Sequence, residues 1–199
     1  MKLSTSTVVV LVLAIALGGS VAYWEFVGKP QRQEQLNRQA RLFNFTEKQV
    51  TAITIQKRNE TLQFERVKLG EWQMVKPQKK PANEAPIAFL LGQMTTAQRV
   101  QDQDITIAAH EKAKFGLDKP LATVQVTLEN GNQHRLVLGN PDFTGVALYA
   151  QIDPPVEAPT LQVALVPIDL RNAVDRSLSE WLAVPKKEES KKAQPSPKP

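Results

Sequence analysis

Cysteine is absent from this 199-residue chain. Its absence excludes a disulfide framework, a thiolate nucleophile and any metal site built on cysteine. It does not decide the compartment, because many exported proteins lack disulfides. Hydrophobic residues make up 42% of the chain, which is enough for a domain with a core of its own.

Catalytic and cofactor-binding motifs are also missing. The zinc-protease, nucleophile-elbow, P-loop and dinucleotide-binding patterns do not occur. His110 and His134 lie in different predicted elements, without an acidic ligand motif around either. The carboxylates of Asp102, Asp104 and Asp118 could pair in a catalytic site. We instead interpret Asp104 as the start of a helix and Asp118 as part of a chain reversal. The sequence therefore predicts no catalytic residue, no metal ligand and no cofactor, and we expect a protein that is not an enzyme.

Positive charge is confined to the two flanks of the chain. The net charge of +5 arises because residues 1–42 and residues 186–199 each carry five basic and two acidic side chains. The middle, residues 43–185, holds 15 basic and 16 acidic side chains. No basic stripe interleaved with aromatic residues is present, so we expect no nucleic acid partner.

An uncharged apolar run lies close to the N-terminus. Val8–Trp24 has no charged residue over 17 positions, about 25 Å of helix, which is at the lower limit for a membrane span. Tyr23, Trp24 and Phe26 stand at its end, where interfacial aromatic residues lie. A cleaved signal peptide is the alternative, because residues 20–22 offer small side chains to a signal peptidase. We favour a retained anchor in the bilayer, because the apolar run continues past that site.

The orientation of this segment has two conflicting indications. Lys29, Arg32, Arg38 and Arg41 follow it, and the positive-inside rule alone would keep the following domain in the cytoplasm. The short basic start, the apolar run and the domain behind it instead have the layout of an export signal, and we expect an extracytoplasmic domain. The predicted organisation is a membrane anchor or signal peptide at 1–28, a polar spacer at 29–42, an α+β domain at 43–184 and a disordered basic tail at 185–199.

Alternating apolar residues predict antiparallel strands from residue 50 onward. The segments "VTAITIQ" and "TLQFERV" form a hairpin around Arg58-Asn59, and "EWQMVK" brings Trp72 and Met74 to one face of a third strand. Two more strands, "VALYAQ" and "LQVALV", follow near the C-terminus. The pairs predicted for the first hairpin are Ile53 with Phe64 and Ile55 with Leu62.

Three segments have the spacing of helices. Asn83 caps the first, whose apolar positions share one face and should pack on the sheet. The second, "DITIAAHEKAKFG", is short and ends at Gly116. The third begins at Pro167 and runs through "PIDLRNAVDRSLSEWL". The apolar positions are Ile87, Leu90, Leu91 and Met94 in the first helix and Leu170, Val174, Leu178 and Leu182 in the third.

Residues 115–120, Phe-Gly-Leu-Asp-Lys-Pro, have the composition of a helix stop. Gly116 supplies the left-handed residue, Leu117 can fold back onto the last turn, and Pro120 prevents the helix from resuming. We interpret the stretch as a corner that leads into the strand "ATVQVTLE", not as a binding loop. For "GNPDFTG", residues 139–145, we likewise favour a plain β-turn over a ligand-binding loop.

A second hairpin follows this corner, and its hydrophobic pattern selects its register. A two-residue loop would split the apolar side chains between the two faces of the sheet. A three-residue loop, residues 130–132, pairs Val124 with Leu138 and Val126 with Leu136, which sets all four on one face. We predict the three-residue loop.

The order of these motifs resembles the family called domain of unknown function 4340. The pattern of that family has a tryptophan strand ending in proline, a Tyr-Gly-Leu-Asp-x-Pro corner and two strands that close on a glycine, and the resemblance covers roughly residues 45–180. No catalytic residue is established for the family, so the resemblance implies a structural role for the matching positions. These are Trp72, Pro77, Phe115 (where the family usually has tyrosine), Gly116, Leu117, Asp118, Pro120 and Gly139.

The resemblance also implies a location and a partner. Family members are typically held by an N-terminal membrane segment with the domain outside the cytoplasm, and some accompany ABC transport systems of the gliding-motility type. We therefore expect a single-pass membrane protein whose α+β domain consists mostly of antiparallel hairpins with two or three helices packed on the sheet. It would bind a membrane protein complex as an accessory or assembly subunit. An extracytoplasmic module that binds a small ligand is the alternative.

Overall fold

The computed structural model describes residues 40–101 and 103–184, and in this part of the chain nine strands form one antiparallel sheet. The strand order is β4-β3-β2-β1-β6-β7-β8-β9-β5. The strands are β1 Val50–Lys57, β2 Glu60–Lys68, β3 Glu71–Lys76, β4 Lys80–Pro81, β5 Ile105–Ala108, β6 Ala122–Leu128, β7 Gln133–Pro141, β8 Ala147–Ile152 and β9 Thr160–Pro167.

Four helical segments accompany the sheet in the same residues. The α-helices are α1 Glu84–Thr96 and α2 Asp169–Val174, and the 3₁₀ helices are Glu47–Gln49 and Ala109–Phe115. The expected α+β class with antiparallel hairpins is confirmed. The predicted membrane segment lies outside the described residues, and neither described α-helix has the length and hydropathy needed to cross a membrane.

The first predicted hairpin is confirmed in its register. Ile53 pairs with Phe64 and Ile55 with Leu62, and the last pair, Lys57 with Glu60, leaves the two-residue turn that the sequence indicated. The other edge of β1 pairs with β6. Both strands therefore lie in the interior of the sheet, with a hydrogen-bonded neighbour on each side.

Helix α1 covers one face of the sheet. The Asn83 side chain accepts a hydrogen bond from the Ala85 amide at 3.2 Å, as expected of an N-cap. Its four predicted core positions are fully buried in the main hydrophobic core, together with the inward side chains of the central strands. Each such side chain contributes about 1.5–3 kcal/mol by leaving water, so this face holds the fold together.

A second, smaller core lies on the opposite face at the β9 end of the sheet. Leu117 packs there with Ile107, Leu161 and Val163, and Phe115 and Tyr149 border the cluster. The 3₁₀ helix Ala109–Phe115 leads into this cluster. That face is thus partly covered over β8, β9 and β5.

The prediction of one helix over residues 104–115 is wrong in its first part. Ile105 pairs with Val163 and Ile107 with Leu161, so β5 forms an edge strand against β9. The alternating β-branched residues of this segment favour a strand, and Ile107 is buried in the smaller core. Asp104 does not start a helix, and its carboxylate instead accepts a hydrogen bond from Arg99 Nε at 3.1 Å.

The loop of the second hairpin has three residues, as predicted, but it is 129–131 and not 130–132, and the predicted pairs Val124–Leu138 and Val126–Leu136 are wrong. Val126 lies opposite His134 and Val124 opposite Leu136. The Gly131 amide donates to the Leu128 carbonyl at 2.9 Å, and Gly131 has a φ of +83°. A tight turn followed by a left-handed glycine requires that glycine at the third loop position. The predicted face is nevertheless right, because a shift by two positions does not exchange the faces.

The helix predicted from Pro167 to Leu182 is shorter than expected. Helix α2 ends at Val174, and the following residues form turns. Ser177 explains the change, because its amide and its hydroxyl both donate to Glu180 Oε2 at 2.8 Å and so compete with helical hydrogen bonds. The turns place Trp181 in the main core, fully buried, with its ring 5.3 Å from that of Phe64.

The last residues of the predicted spacer contact the domain. Arg41 pairs with Gln98 in an isolated antiparallel bridge, and the Leu42 amide donates to the Ala97 carbonyl at 3.1 Å. Leu42 is buried in the main core. These contacts bring the N-terminal end of the described chain against the C-terminal end of α1.

Candidate binding surface on the open face of the sheet

Polar side chains line the face of β1 and β6 that the helices do not cover. Because neighbouring residues of a strand point to opposite faces, the burial of Ile53 and Ile55 directs Thr54 and Gln56 outward. Thr123 and Gln125 of β6 lie directly opposite them, paired as Gln56 with Thr123 and Thr54 with Gln125. The result is a cluster of hydroxyl and amide groups on this side of the sheet, which we call the open face.

Three cavities on the open face share lining residues and form one groove, which we call the polar groove. The first, of about 530 Å³, is lined by Gln56, Lys57, Arg58, Lys119, Pro120 and Thr123. The second, of about 170 Å³, is lined by Thr54, Gln56, Thr123, Gln125, Arg135 and Val137. The third, of about 510 Å³, again includes Gln125 and Arg135 and extends to Asp153.

Arg135 is oriented along the polar groove by its neighbours. One guanidinium nitrogen donates to Gln125 Oε1 at 3.4 Å, and Gln125 Nε2 in turn donates to Gln133 Oε1 at 3.0 Å. The Arg135 backbone amide donates to Asp153 Oδ1 at 2.7 Å. A hydrogen-bonded row of side chains thus holds the cation on the sheet.

The polar groove has an excess of positive charge. Lys57 is already engaged, since its ammonium group donates to the Arg176 carbonyl at 2.8 Å and lies 3.6 Å from Glu60. Arg58, Lys119 and Arg135 form no ion pair with any residue that the structure describes. Such cations are available to an anionic ligand.

A histidine–aspartate pair lies among the lining residues of the third cavity, at one end of the polar groove. His134 Nδ1 lies 2.8 Å from Asp153 Oδ2, and the imidazole stacks on Phe45 with ring centroids 5.3 Å apart. Asp153 has a φ of +45°, an uncommon backbone conformation that its two carboxylate contacts help to maintain. The sequence did not indicate this pair, because the partners are 19 residues apart and belong to no motif.

The loop after β7, residues 142–146, presents an aromatic side chain to solvent, and we call it the Phe143 loop. Phe143 is 96% exposed and Val146 is 65% exposed. Thr144 Oγ1 donates to one carboxylate oxygen of Asp142 at 2.6 Å and the Ala147 amide to the other at 3.1 Å. These hydrogen bonds, first that from Thr144, lower the pKa of Asp142. A turn is confirmed for residues 142–145, where the Gly145 amide donates to the Asp142 carbonyl at 3.1 Å, whereas residues 139–141 of the predicted turn belong to β7.

The histidines and carboxylates of residues 40–101 and 103–184 do not assemble into a metal site. No group of three or more histidine and carboxylate side chains there could hold a metal ion. Asp118 is exposed next to the polar groove, and Asp104 pairs with Arg99. Asp102 lies outside the described residues, so the carboxylate group considered from the sequence does not form a described site.

The corner residues 115–117 and Gly139 meet at one point of the fold. Gly116 has a φ of +70°, and the amides of Gly116 and Leu117 donate to the Ala113 and Lys112 carbonyls at 3.2 and 3.0 Å, the Schellman arrangement of a helix end. A Cβ at Gly139 would collide with the Phe115 carbonyl. The corner therefore packs directly against the strand end that the family pattern also contains.

The remaining motif positions lie in different parts of the fold. Trp72 is buried and carries the Arg66 guanidinium 4.5 Å above its ring, and Pro77 is exposed just after β3. Pro120 lines the polar groove. The ring of Phe115 meets that of Tyr149 edge-on at 4.9 Å. The predicted interfacial residues Tyr23, Trp24 and Phe26 lie outside the described residues.

The profile of the domain of unknown function DUF4340 matches residues 72–184, more than half of the chain. The chain belongs to this family. No curated protein and no solved structure matches it. The DUF4340 match begins at β3, so the Thr54, Gln56 and Arg58 part of the polar groove precedes the matched region, whereas Lys119 and Arg135 lie within it.

Proposed function

We propose that this protein is a non-enzymatic accessory subunit of a membrane protein complex. It would be anchored through Val8–Trp24, with the DUF4340 domain on the extracytoplasmic side. The partner would be a membrane assembly of the ABC-transporter class, as the family resemblance implies. The observation that supports the proposal most directly is the Phe143 loop.

The Phe143 loop has the physical properties of a protein docking point. Large aromatic side chains dominate binding energy when they enter a pocket on a partner, and they bind best when their conformation is fixed beforehand. Asp142 and Thr144 fix the loop, so docking of Phe143 would cost little conformational entropy. An aromatic ring exposed to 96% leaves nearly its whole surface for burial against a partner.

A crosslinking experiment tests this function. A photoreactive phenylalanine analogue at position 143 of the full chain, activated in intact membranes, should crosslink to a membrane protein. The same analogue at Leu69, which is 69% exposed on the β2–β3 turn, is the matched control. Phe143→Ser should abolish co-purification of the crosslinked protein from mild detergent, and Leu69→Ser should not. Equal capture by both variants would remove the Phe143 loop from the proposal.

The topology needs its own experiment. Alkaline phosphatase fused after Val184 becomes active only when exported, so an active fusion is expected. An inactive fusion would place the domain in the cytoplasm and overturn the extracytoplasmic assignment. The sequence of the mature N-terminus distinguishes the retained anchor from the cleaved signal peptide, since cleavage would leave a chain that begins at Tyr23.

The alternative function, an extracytoplasmic ligand-binding module, is favoured by a different observation. The polar groove offers converging hydroxyl, amide and cationic groups over two cavities of about 500 Å³ each, a size that suits a ligand.

A further inference from the structure

We propose that the polar groove binds a linear anionic glycan, a sugar chain that carries carboxylate or phosphate groups. The groove and the Phe143 loop have no residue in common. The inference therefore does not depend on the docking function proposed above, and it gives the ligand-binding alternative a specific ligand class.

The positions of the cations indicate a chain and not a compact anion. Arg58 and Lys119 line the first cavity, and Arg135 lies opposite Gln125 of β6. At about 3.3 Å per residue, the four steps along β1 from Arg58, one residue past its end, to Thr54, which pairs with Gln125, span about 13 Å. A single small anion cannot reach both ends of the polar groove, whereas a polymer with several anionic groups can.

The side chains between these cations match sugar hydroxyls. Thr54 and Thr123 carry hydroxyls, Gln56 and Gln125 carry amides, and each of these side chains can both donate and accept a hydrogen bond. Sugar hydroxyls have the same dual capacity. Carboxylates stand at the two ends of this row, Asp153 at one and Glu60 and Asp175 of an adjoining cavity near the other. The middle of the row, which carries only hydroxyl and amide groups, fits a hydroxyl-rich ligand whose negative charges meet the cations.

An acidic peptide fits this surface less well. Peptides that add to a sheet need an open edge, and β1 and β6 each have a hydrogen-bonded neighbour on both sides. Val137 is the one apolar side chain that lines the second cavity, so no pocket there suits an apolar anchor of a peptide. The affinity of a peptide would have to come from its charge alone.

Binding of labelled oligomers to the full chain in detergent micelles tests the inference. The probes are an oligogalacturonate, a phosphorylated malto-oligosaccharide, a neutral malto-oligosaccharide and a poly-glutamate peptide of similar length. We expect one of the two anionic oligomers to bind, more weakly as salt rises because the contacts are ionic. Whichever binds identifies carboxylate or phosphate as the anionic group.

Variants then locate the site. Arg135→Gln and Lys119→Gln should each weaken binding about tenfold, the loss expected for one charged hydrogen bond. Gln125→Glu should abolish binding, because it places a carboxylate in the middle of the groove. Lys68→Gln is the matched control, since this exposed lysine at the end of β2 is outside the polar groove and its loss changes the net charge equally. Thermal melts verify that each variant is folded.

Several results would overturn the inference. Equal binding of the neutral and the anionic sugar chains would remove the role of the cations, and absence of binding by all four probes would remove the ligand class. Tighter binding of poly-glutamate than of either anionic oligomer would indicate an acidic peptide. An equal loss in Lys68→Gln and Arg135→Gln would indicate attraction by net charge only. Phe143→Ser should leave glycan binding unchanged, which separates this test from that of the docking function.

Discussion

Alanine substitutions at three glycines should have three different effects on stability. Gly92 lies inside α1 with an ordinary helical backbone, and no atom lies within 4 Å of the point that an alanine Cβ would occupy. Gly92→Ala should therefore stabilise the domain by about 0.5–1 kcal/mol. Gly131 also has free space but a φ of +83°. Gly131→Ala should destabilise by about 1 kcal/mol, the cost of a left-handed backbone with a side chain.

Gly116→Ala should be the most harmful of the three. Gly116 has a φ of +70°, and an added Cβ would also lie 2.8 Å from the Asn140 backbone nitrogen and collide with the Asn140 side chain. The left-handed conformation costs about 1–2 kcal/mol and overpacking a further 1–3 kcal/mol, so we expect a loss of about 2–4 kcal/mol. Combining Gly116→Ala with Asn140→Ala should restore only part of the loss, because the backbone contact remains.

Urea unfolding of residues 40–184, followed by tryptophan fluorescence, measures these differences. The change in midpoint, multiplied by the constant slope, gives the change in the free energy of unfolding for each variant. The matched comparison is Gly116→Ala against Gly131→Ala, since both positions have positive φ and only the first has a close neighbour. Equal losses at the two positions would show that the contact between the corner and Asn140 does not constrain the fold.

Further effects follow from side chains with defined contacts. Arg66→Lys should destabilise by about 1–2 kcal/mol in urea, because lysine cannot replace both bonds to the Val50 and Glu47 carbonyls, whereas Arg58→Lys should have no effect. Trp181→Ala should cost about 3–5 kcal/mol, and Trp181→Phe much less, because the buried indole nitrogen has no partner among the described residues. The pKa of Asp142 is lowered in the folded protein. The contribution of this carboxylate to stability is therefore present above the pKa that Asp142 has in the unfolded chain, and it is lost as the pH falls through the lowered value. The stability of Asp142→Asn should accordingly fall less on acidification than that of the wild type.

The parts of the fold that could be predicted are those where local chemistry and packing agree. Asn83 as a cap and the register of the first hairpin follow from residue type and from alternation, and the sheet and the core both favour the same arrangement. The corner at Gly116 could be predicted for the same reason, since only glycine adopts its backbone conformation at low cost.

The errors arose where an interaction outside the apolar pattern decides between two local possibilities. Residues 105–108 are a strand because β9 offers an edge, and that edge is more than 50 residues away along the chain. Helix α2 ends early because Ser177 bonds to Glu180 and because the main core accommodates Trp181. Neither interaction is visible in the apolar spacing of the two segments.

The candidate surface could not be predicted as a unit. The polar residues of β1 and β6 alternate with apolar ones, and such alternation indicates only a half-buried strand. Arg58, Lys119 and Arg135 are far apart in the sequence, in a middle region of nearly balanced charge. The sheet order places β1 beside β6 and so brings the cations to one groove, although about 60 residues separate Arg58 from the strand that lies beside it.

The corner motif of the family connects the two proposed surfaces. At Gly139 the strand β7 touches the Phe115 carbonyl, and from this contact the chain leads on one side to Lys119 in the polar groove and on the other to the Phe143 loop. The motif residues need no chemical reactivity for this role, because their packing positions both the polar groove and the Phe143 loop. Gly139→Ala should therefore weaken glycan binding and partner capture together. Arg135→Gln should affect only the first and Phe143→Ser only the second, and a Gly139→Ala variant with both activities intact would show that the corner positions neither surface.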